Sequence, residues 1–437
     1  MKPQNYFFLG IGGIGNSALA QYFLEQGSQV AGYDRTQSLI TKKLEEKAIR
    51  VIYEFAPKAL PDFLDRETTT IVCTAAIKTD QPWYRYFIEQ GFTIEKRAKV
   101  LAQIANAQIC VAVAGTHGKT TTLALLTHIF KTAQWPFTAF VGGILEGYES
   151  NYIHTGDRYL LVEADEFDRS FLQLRPSFAA ITSVDPDHLD IYDSPTAFEE
   201  AFEAFAAQVR EVTVLGPEVA LKGFRLGEAY QVKNTKIKAV GYRADFYLNS
   251  ENALPVEVAV MGPHNLNNAL MAAALAHEIG IPSQAIQKAL ASFQGIQRRM
   301  QVTEWQPGLY LVDDYAHHPT EIRAVYDTLH ERYPEMEKTV VFQPHLFSRT
   351  KDFFEDFTKV LALFDRVFVL PIYPAREEPI EGVTAQALLD DIQHRNKALI
   401  FKSQILPMMS RLTKGVIALL GAGDIGSMAA ELKQKTI

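Results

Sequence analysis

The strongest chemical signal in this sequence is Gly115-Thr116-His117-Gly118-Lys119-Thr120-Thr121-Thr122. It follows an apolar run at 109–114 and precedes a helical pattern with Leu123, Leu126 and Phe130 on one face. A turn that opens a helix presents unpaired backbone N–H groups and the positive end of the helix dipole, which together suit a phosphate. Lys119 adds a mobile positive charge for the β- and γ-phosphates, and Thr120 a hydroxyl for Mg²⁺. Val113 stands where the general phosphate loop has its first glycine, so the spacing departs from that pattern. ATP is therefore expected on Gly115, Thr116, His117, Gly118, Lys119, Thr120 and Thr121.

Two acidic runs come later, each straight off a strand-like segment. They are Glu163-Ala164-Asp165-Glu166-Phe167-Asp168 and Asp185-Pro186-Asp187-His188-Leu189-Asp190. Carboxylates and a histidine at strand ends beside a phosphate loop can hold Mg²⁺. Elsewhere such residues are solvated loop charge. In His264-Asn265-Leu266-Asn267-Asn268, the asparagines Asn265 and Asn268 fall one helical turn apart. Their amides can read an adenine edge with paired donor and acceptor, whereas helix capping would account for only one of them.

The run Gly10-Ile11-Gly12-Gly13-Ile14-Gly15 fits the dinucleotide pattern, with Asp34 ending the next strand. Gly421-Ala422-Gly423-Asp424-Ile425-Gly426 satisfies the same pattern at the other end of the chain. Both cannot mean NAD. The first is expected to hold a diphosphate and the second to be a tight strand-to-helix turn. The last third also clusters polar groups near strand ends: Arg298-Arg299, Asp313-Asp314-Tyr315-Ala316-His317-His318, and residues 345–349.

The elements that must position these residues are strands alternating with helices, which predicts α/β domains with mostly parallel sheets. Strands are expected at 6–9, 29–33, 70–73, 109–114, 159–163, 178–184, 309–312, 339–342, 366–370 and 416–420. Helices are expected at 16–26, 195–208 and 265–279. At 437 residues the chain suits three domains, placed at 1–105, 106–294 and 295–437. The first and last read as Rossmann-like and the middle one as a phosphate-loop ATPase domain. An apolar content of 47% with 22% charge excludes a disordered or fibrous chain. With 43 basic against 51 acidic residues the net charge is −8, so neither nucleic acid nor an anionic membrane is expected as a partner. Cys73 and Cys110 sit in apolar runs and form no zinc pattern, which suits a reducing compartment. No A-x-A cleavage site follows the N-terminus, and no apolar stretch nears the roughly 18 residues of a membrane span. A soluble cytoplasmic protein is expected, monomer or homodimer.

Taken in order, these motifs resemble the Mur ligases of peptidoglycan synthesis over essentially the whole chain. The carriers are GIGGIG, GTHGKTTT, EADE, DPDHLDIY, HNLNN, QRRM and DDYAHHPTEI. Phe342-Gln343-Pro344-His345 with Ser348-Arg349-Thr350, the 372–379 segment and the terminal Gly-Ala-Gly-Asp-Ile resemble the branch that adds L-alanine to UDP-N-acetylmuramate. The branch that attaches murein tripeptide to the same nucleotide sugar ranks second. The resemblance implies three domains: one for the UDP-sugar, one for ATP and one for the amino acid. It implies that Gly10, Gly12, Gly13, Ile14, Gly15 and Asp34 hold the UDP-sugar. Lys119 would contact the γ-phosphate, and Thr120, Glu163 and His188 would organise Mg²⁺. Asn265 and Asn268 would bind adenine, Arg299 and Asp314 would reach the nucleotide, and His345 and Arg349 would face the amino acid. Leu346 stands where many members of that branch carry an arginine, which places carboxylate recognition on Arg349. Ser183 replaces a common asparagine and Phe167 a common serine. Two readings from other classes remain: an NAD-dependent enzyme using residues 10–15, and a non-catalytic nucleotide sensor.

Overall fold

The computed structural model describes residues 4–74, 77–185, 192, 194–249, 251–375 and 377–434. The first sheet holds β1 (Asn5–Leu9), β2 (Val30–Tyr33), β3 (Arg50–Ile52), β4 (Thr69–Cys73) and β5 (Thr93–Lys96), in the order β3-β2-β1-β4-β5 and parallel throughout. This is the Rossmann-like arrangement expected, with the strand order reversing beside β1. The carboxyl end of β1 is therefore the crevice where such sheets take ligands.

The second sheet holds β6 (Ile109–Ala114), β7 (Phe137–Leu145), β8 (Ser150–His154), β9 (Tyr159–Glu163), β10 (Phe178–Ile181), β11 (Val212–Leu215) and β12 (Phe224–Arg225). Their order is β12-β11-β10-β6-β9-β7-β8, with only β7–β8 antiparallel. Strand β6 lies inside the sheet and is buried from Cys110 to Ala114. Burial on both faces is why its sequence is a continuous apolar run rather than an alternating one. Its neighbours β9 and β10 end level with it, so three strand ends meet around the phosphate loop. A small antiparallel sheet follows: β13 (Tyr230–Ile237), β14 (Tyr242–Leu248) and β15 (Leu254–Val258).

The last sheet holds β16 (Gln301–Gln306), β17 (Leu309–Asp314), β18 (Lys338–Phe342), β19 (Arg366–Val369), β20 (Lys397–Leu399) and β21 (Gly415–Leu420). The order is β16-β17-β21-β18-β19-β20, parallel except for the β16 edge. Its core packs Val312, Val340, Phe342, Ala418 and Leu420 beneath helices that bury Ile322, Leu329, Phe357 and Leu361.

The chain divides into two compact units. One comprises residues 1–259 and 265–294, and the other residues 260–264 and 295–437. The first contains the glycine turn and the phosphate loop. The second carries Arg299, Asp314, His345 and Arg349. Predicted elements appear within one to three residues of their expected bounds, with two informative shifts. The strand expected at 178–184 stops at Ile181, because Thr182 and Ser183 leave the ladder to bond the phosphate loop. The helix expected from 265 begins at Pro263, where proline's fixed φ and missing N–H suit a first turn. No helix among the described residues is long and apolar enough to cross a membrane. Both cysteines are free and buried, and burial pushes the Cys110 thiol up to about 12.

Candidate active site

The phosphate loop leaves β6 at Gly115 (φ +128°) and enters the helix Lys119–Thr132 through Gly118 (φ +81°). Both φ values favour glycine, and both positions are also crowded. A Cβ at 115 would collide with Thr182 Oγ1, and one at 118 would lie 2.5 Å from Asn268 Oδ1. The end of β10 braces the loop. Thr116 N–H donates to Ser183 O (3.2 Å), His117 N–H to Ser183 Oγ (3.0 Å), and the Thr182 hydroxyl to the carbonyls of Ala114 and His117. Thr116 Oγ1 donates to Asp185 O (2.8 Å) and accepts from Asp185 N–H (3.0 Å). Thr120 and Thr121 follow, both buried.

The Lys119 ammonium folds back across this loop. It donates to the carbonyls of Gly115 and Thr116 and to both oxygens of Glu166, at 2.9 and 2.8 Å. Burial by itself would lower the Lys119 pKa, but Glu166, Asp165 and Glu163 outweigh it and the pKa is raised. Burial pushes Glu166 the opposite way from its partner's pull, up to about 7. Glu163 ends β9 and accepts from Gly142 N–H at 2.7 Å. Asn268 Nδ2 donates to Asn265 Oδ1 (3.1 Å), so the two amides form one buried pair against Gly118. Phosphate loop, Lys119, Glu163 and the asparagine pair are thus brought together in the first unit. His188 lies outside the described residues.

The glycine turn sits at the end of β1. Gly10 and Ile11 N–H donate to Tyr33 O, and buried Asn16 donates to the carbonyls of Leu9 and Gly10 at 3.0 Å each. Asp34 accepts from Gly12 N–H at 2.8 Å. It braces the turn, the Gly13 N–H donates to Gly10 O (3.1 Å), and the helix Ile14–Glu25 starts directly after. Asn151, from β8, donates to Ile14 O and Ser17 Oγ, which ties the turn to the second sheet.

In the second unit, buried Asp314 accepts from Met300 N–H (2.6 Å) and Ala316 N–H (2.7 Å). Burial raises its pKa to about 6 against the pull of Arg299 and these two donors. Its carboxylate holds the Arg298–Met300 corner, where Arg298 and Met300 both take positive φ. Arg298 and Arg299 lie over the Tyr315 ring at 4.8 and 5.2 Å. The ring of His345 stacks on Tyr373 and lies 6.1 Å from that of His317. His317 pairs with Glu321 at 3.2 Å. Burial, together with Arg349 and Arg299, holds His317 down at about 4 although Glu321 pulls it upward. Arg349 is buried in the helix Phe347–Asp352, which Leu346 enters at φ +71°. The second glycine run is filled by the protein itself. Gln343 Oε1 accepts from Ile425 N–H (3.0 Å), and Arg298 donates to Gly421 O.

Sequence reasoning missed Glu166, Thr182, Ser183, Asn16 and Arg97. Glu166 lies in the same acidic run as Glu163, and nothing in the spacing separates the two. Ser183 stands out in the sequence only as a replacement for a common asparagine, yet its hydroxyl accepts from the loop. Arg97 opens the helix Arg97–Asn106, and its guanidinium lies against Gly15.

Three α/β domains, the middle one with a strand–loop–helix phosphate turn, define a class of multidomain nucleotide-binding enzyme. Residues 5–109 match the Mur ligase family catalytic domain, 113–276 the Mur ligase middle domain and 298–430 the glutamate ligase domain of the same family. The chain belongs to the Mur ligase family. It is 44% identical to the UDP-N-acetylmuramate–L-alanine ligase of Flavobacterium psychrophilum, covering 99% of this chain and 98% of that one. The enzyme of the same name from Christiangramia forsetii is also 44% identical, covering 99% and 97%. Among solved structures, the UDP-N-acetylmuramate–alanine ligase of Thermotoga maritima aligns with a TM-score of 0.83 at 26% identity, covering 99% and 98%. A murein peptide ligase from Psychrobacter arcticus aligns with a TM-score of 0.73 at 22% identity, covering 99% and 98%, and shares the fold.

Proposed function

We propose that this chain is an ATP-dependent ligase that joins L-alanine to the lactyl carboxylate of UDP-N-acetylmuramate in cytoplasmic peptidoglycan precursor synthesis. The observation that carries the reading is 44% identity along 99% of the chain to ligases of that name. On this reading residues 1–105 take the UDP-sugar, 106–294 the ATP and 295–437 the amino acid.

The lactyl carboxylate attacks the γ-phosphorus and ADP leaves, giving an acyl phosphate. Lys119 offsets the charge carried by the transferring phosphoryl group. Backbone N–H groups of residues 118–120, at the start of the helix, cradle the phosphates, while those of Thr116 and His117 are taken by Ser183. The amides of Asn265 and Asn268 take the adenine edge. The neutral amine of L-alanine then attacks the acyl carbon, and the tetrahedral intermediate expels phosphate. Arg349 takes the alanine carboxylate, with His345 beside it. Arg299 keeps the nucleotide-directed role implied by the resemblance, and Asp314 braces its corner. Gly10, Gly12, Gly13, Ile14 and Gly15 hold the sugar diphosphate, with Asp34 shaping their turn.

The donor set fits Mg²⁺. A threonine hydroxyl and a carboxylate, Thr120 and Glu163, are hard oxygen ligands. The described residues hold no cluster of three or more acidic, His or Cys side chains that would make a self-sufficient cage. Mg²⁺ bound through substrate phosphates needs only one or two protein carboxylates. Thr120, Glu163 and His188 would hold it, and it would supply further charge neutralisation at the phosphates.

The test is phosphate release from ATP with UDP-N-acetylmuramate and Mg²⁺, run separately with L-alanine, glycine, L-serine and the tripeptide. L-Alanine is expected to stimulate most. Stimulation by tripeptide alone would assign the chain to the recycling branch, and tight NAD binding in a calorimetric titration would overturn the ligase reading.

A further inference from the structure

Glu166 has no part in the roles assigned above, yet it makes the closest charged contact in the phosphate site. Its side chain is 3% exposed, and both of its oxygens bond the Lys119 ammonium. That ammonium has three N–H donors and four protein acceptors: two carboxylate oxygens and the carbonyls of Gly115 and Thr116. A phosphate oxygen can reach Lys119 only by replacing one of them.

The backbone that carries this carboxylate is held in place. Glu166 O accepts from the Tyr192 hydroxyl (2.6 Å) and from Arg169 N–H (3.0 Å). The turn beyond it places Asp168 and Arg169 at φ 54° and 53°, an αL pair that resists sliding. The flanking acids are anchored as well. Asp165 faces Arg97 at 3.8 Å, and Asp168 pairs with Lys96 at 2.7 Å. Glu166 therefore stays close to any phosphate that takes Lys119, and two buried anions in such proximity repel.

We propose that Glu166 is the resting counter-ion of Lys119, a positioning residue that keeps the ammonium at the phosphate loop and opposes the γ-phosphate of bound ATP. This rests on the ATP reading above. As the γ-phosphoryl group loosens toward a metaphosphate-like transition state, part of its negative charge moves onto the leaving oxygen of ADP, and the repulsion eases. Glu166 thus weakens ground-state binding of ATP more than it weakens the transition state. Removing its charge should tighten ATP and slow turnover together, the signature of relieved ground-state strain. A carboxylate with only a scaffolding role would do the reverse, because its loss would loosen the loop and weaken ATP.

The experiment titrates full-length protein with ATP and Mg²⁺ by calorimetry, without UDP-sugar, and measures KM for ATP and kcat in the phosphate-release assay. Glu166→Gln keeps an acceptor oxygen and loses the charge. It is expected to lower the Kd and KM for ATP about tenfold and to lower kcat by a similar factor, the scale of one charge-assisted hydrogen bond. Glu166→Asp retains the charge and should stay within about threefold of the parent in Kd for ATP, on the same scale. Unchanged or weaker ATP binding by Glu166→Gln overturns the proposal, as does equal tightening by Glu166→Asp. If Glu166→Gln does not fold by circular dichroism, the Asp variant decides on its own: parent-like affinity supports the counter-ion and tightening overturns it. Failure of the parent to bind ATP at all overturns the ATP reading instead.

Discussion

The guanidinium of Arg97 occupies the space that a side chain on Gly15 would fill: a Cβ at position 15 would lie 2.7 Å from Arg97 Nη1. The same guanidinium faces Asp165 at 3.8 Å. A cation is therefore held over the first turn of the helix Ile14–Glu25 by an acid from the other sheet of the same unit. Arg97→Met is expected to raise KM for UDP-N-acetylmuramate about tenfold or more, the scale of a hydrogen bond to a charged group, with KM for ATP nearly unchanged. Gly15→Ala makes a sharper test. The obstructing atoms are the mobile end of a side chain, and alanine in a helix is favoured by roughly 0.5–1 kcal/mol over glycine. The variant should melt no lower than the parent yet show a raised KM for the UDP-sugar. Equal loss of affinity for both substrates would remove Arg97 from the sugar site.

Lys119→Ala tests the phosphoryl-transfer role. Charge offset at one such centre is typically worth about 10²–10³-fold in rate, so nearly all turnover should disappear. UDP-sugar binding should stay close to normal, because the glycine turn is built without Lys119. The substitution also leaves Glu166 buried without its partner. Its pKa, already up to about 7 through burial, then loses the opposing pull of the ammonium and rises further. The melting temperature should fall and recover when Glu166→Gln is added, because a buried carboxyl left without its ammonium partner is the source of the loss. Retained phosphate release by Lys119→Ala would sink the assignment.

Glu163 is held by a glycine that has no room for a larger residue. A Cβ on Gly142 would sit 2.5 and 2.6 Å from the two carboxylate oxygens, and Gly142 N–H donates to one of them at 2.7 Å. Gly142→Ala should therefore rotate Glu163 off its position without touching the phosphate loop. The Mg²⁺ concentration for half-maximal activity is expected to rise roughly tenfold, as for other residues that orient a metal ligand. Activity at saturating Mg²⁺ should largely recover. A simple drop in maximal rate at every Mg²⁺ concentration would argue that Glu163 serves another purpose.

These sites differ in how far the amino-acid sequence exposes them. The phosphate loop is legible because its glycines, lysine and threonines are contiguous and lie between a buried strand and a helix, so local spacing carries the chemistry. The first glycine turn is legible for the same reason, and its double at 421–426 shows the limit. Only the structure reveals that Gln343 and Arg298 fill the second turn, since both come from distant strand ends. Glu166, Thr182 and Arg97 act across sheet neighbours, from β9, β10 and the end of β5. Strand order is a property of pairing, and no local pattern encodes it. Fold class is the easier inference, because alternation of strands and helices survives errors of a few residues at each boundary.

The second unit should show an acid-sensitive stability traceable to two histidines and one aspartate. Burial holds His317 and His264 down at about 4, with Arg299 adding to both and Arg349 to His317, against the upward pull of Glu321. Asp327 also pulls His264 upward and Tyr315 O bonds the His317 ring. Between about pH 6.5 and 4 the unfolded chain binds protons at these sites that the native chain does not, so stability falls as pH falls. Asp314 works in the opposite sense. Its native pKa of about 6 lies above its unfolded value, so between roughly pH 4 and 6 the native chain holds the extra proton, and stability falls as pH rises. One histidine is thereby cancelled in that window, which leaves a net slope of about 1.4 kcal/mol per pH unit from these three groups. His317→Asn should flatten this contribution between pH 4 and 6, and Asp314→Asn should steepen it to about twice the parent's. Urea unfolding of the whole chain at several pH values, read as the difference between variant and parent, isolates the effect from the remaining titrating groups. Identical slopes for parent and His317→Asn would mean that the His317 imidazole is protonated in the folded protein and that its burial is offset by Glu321.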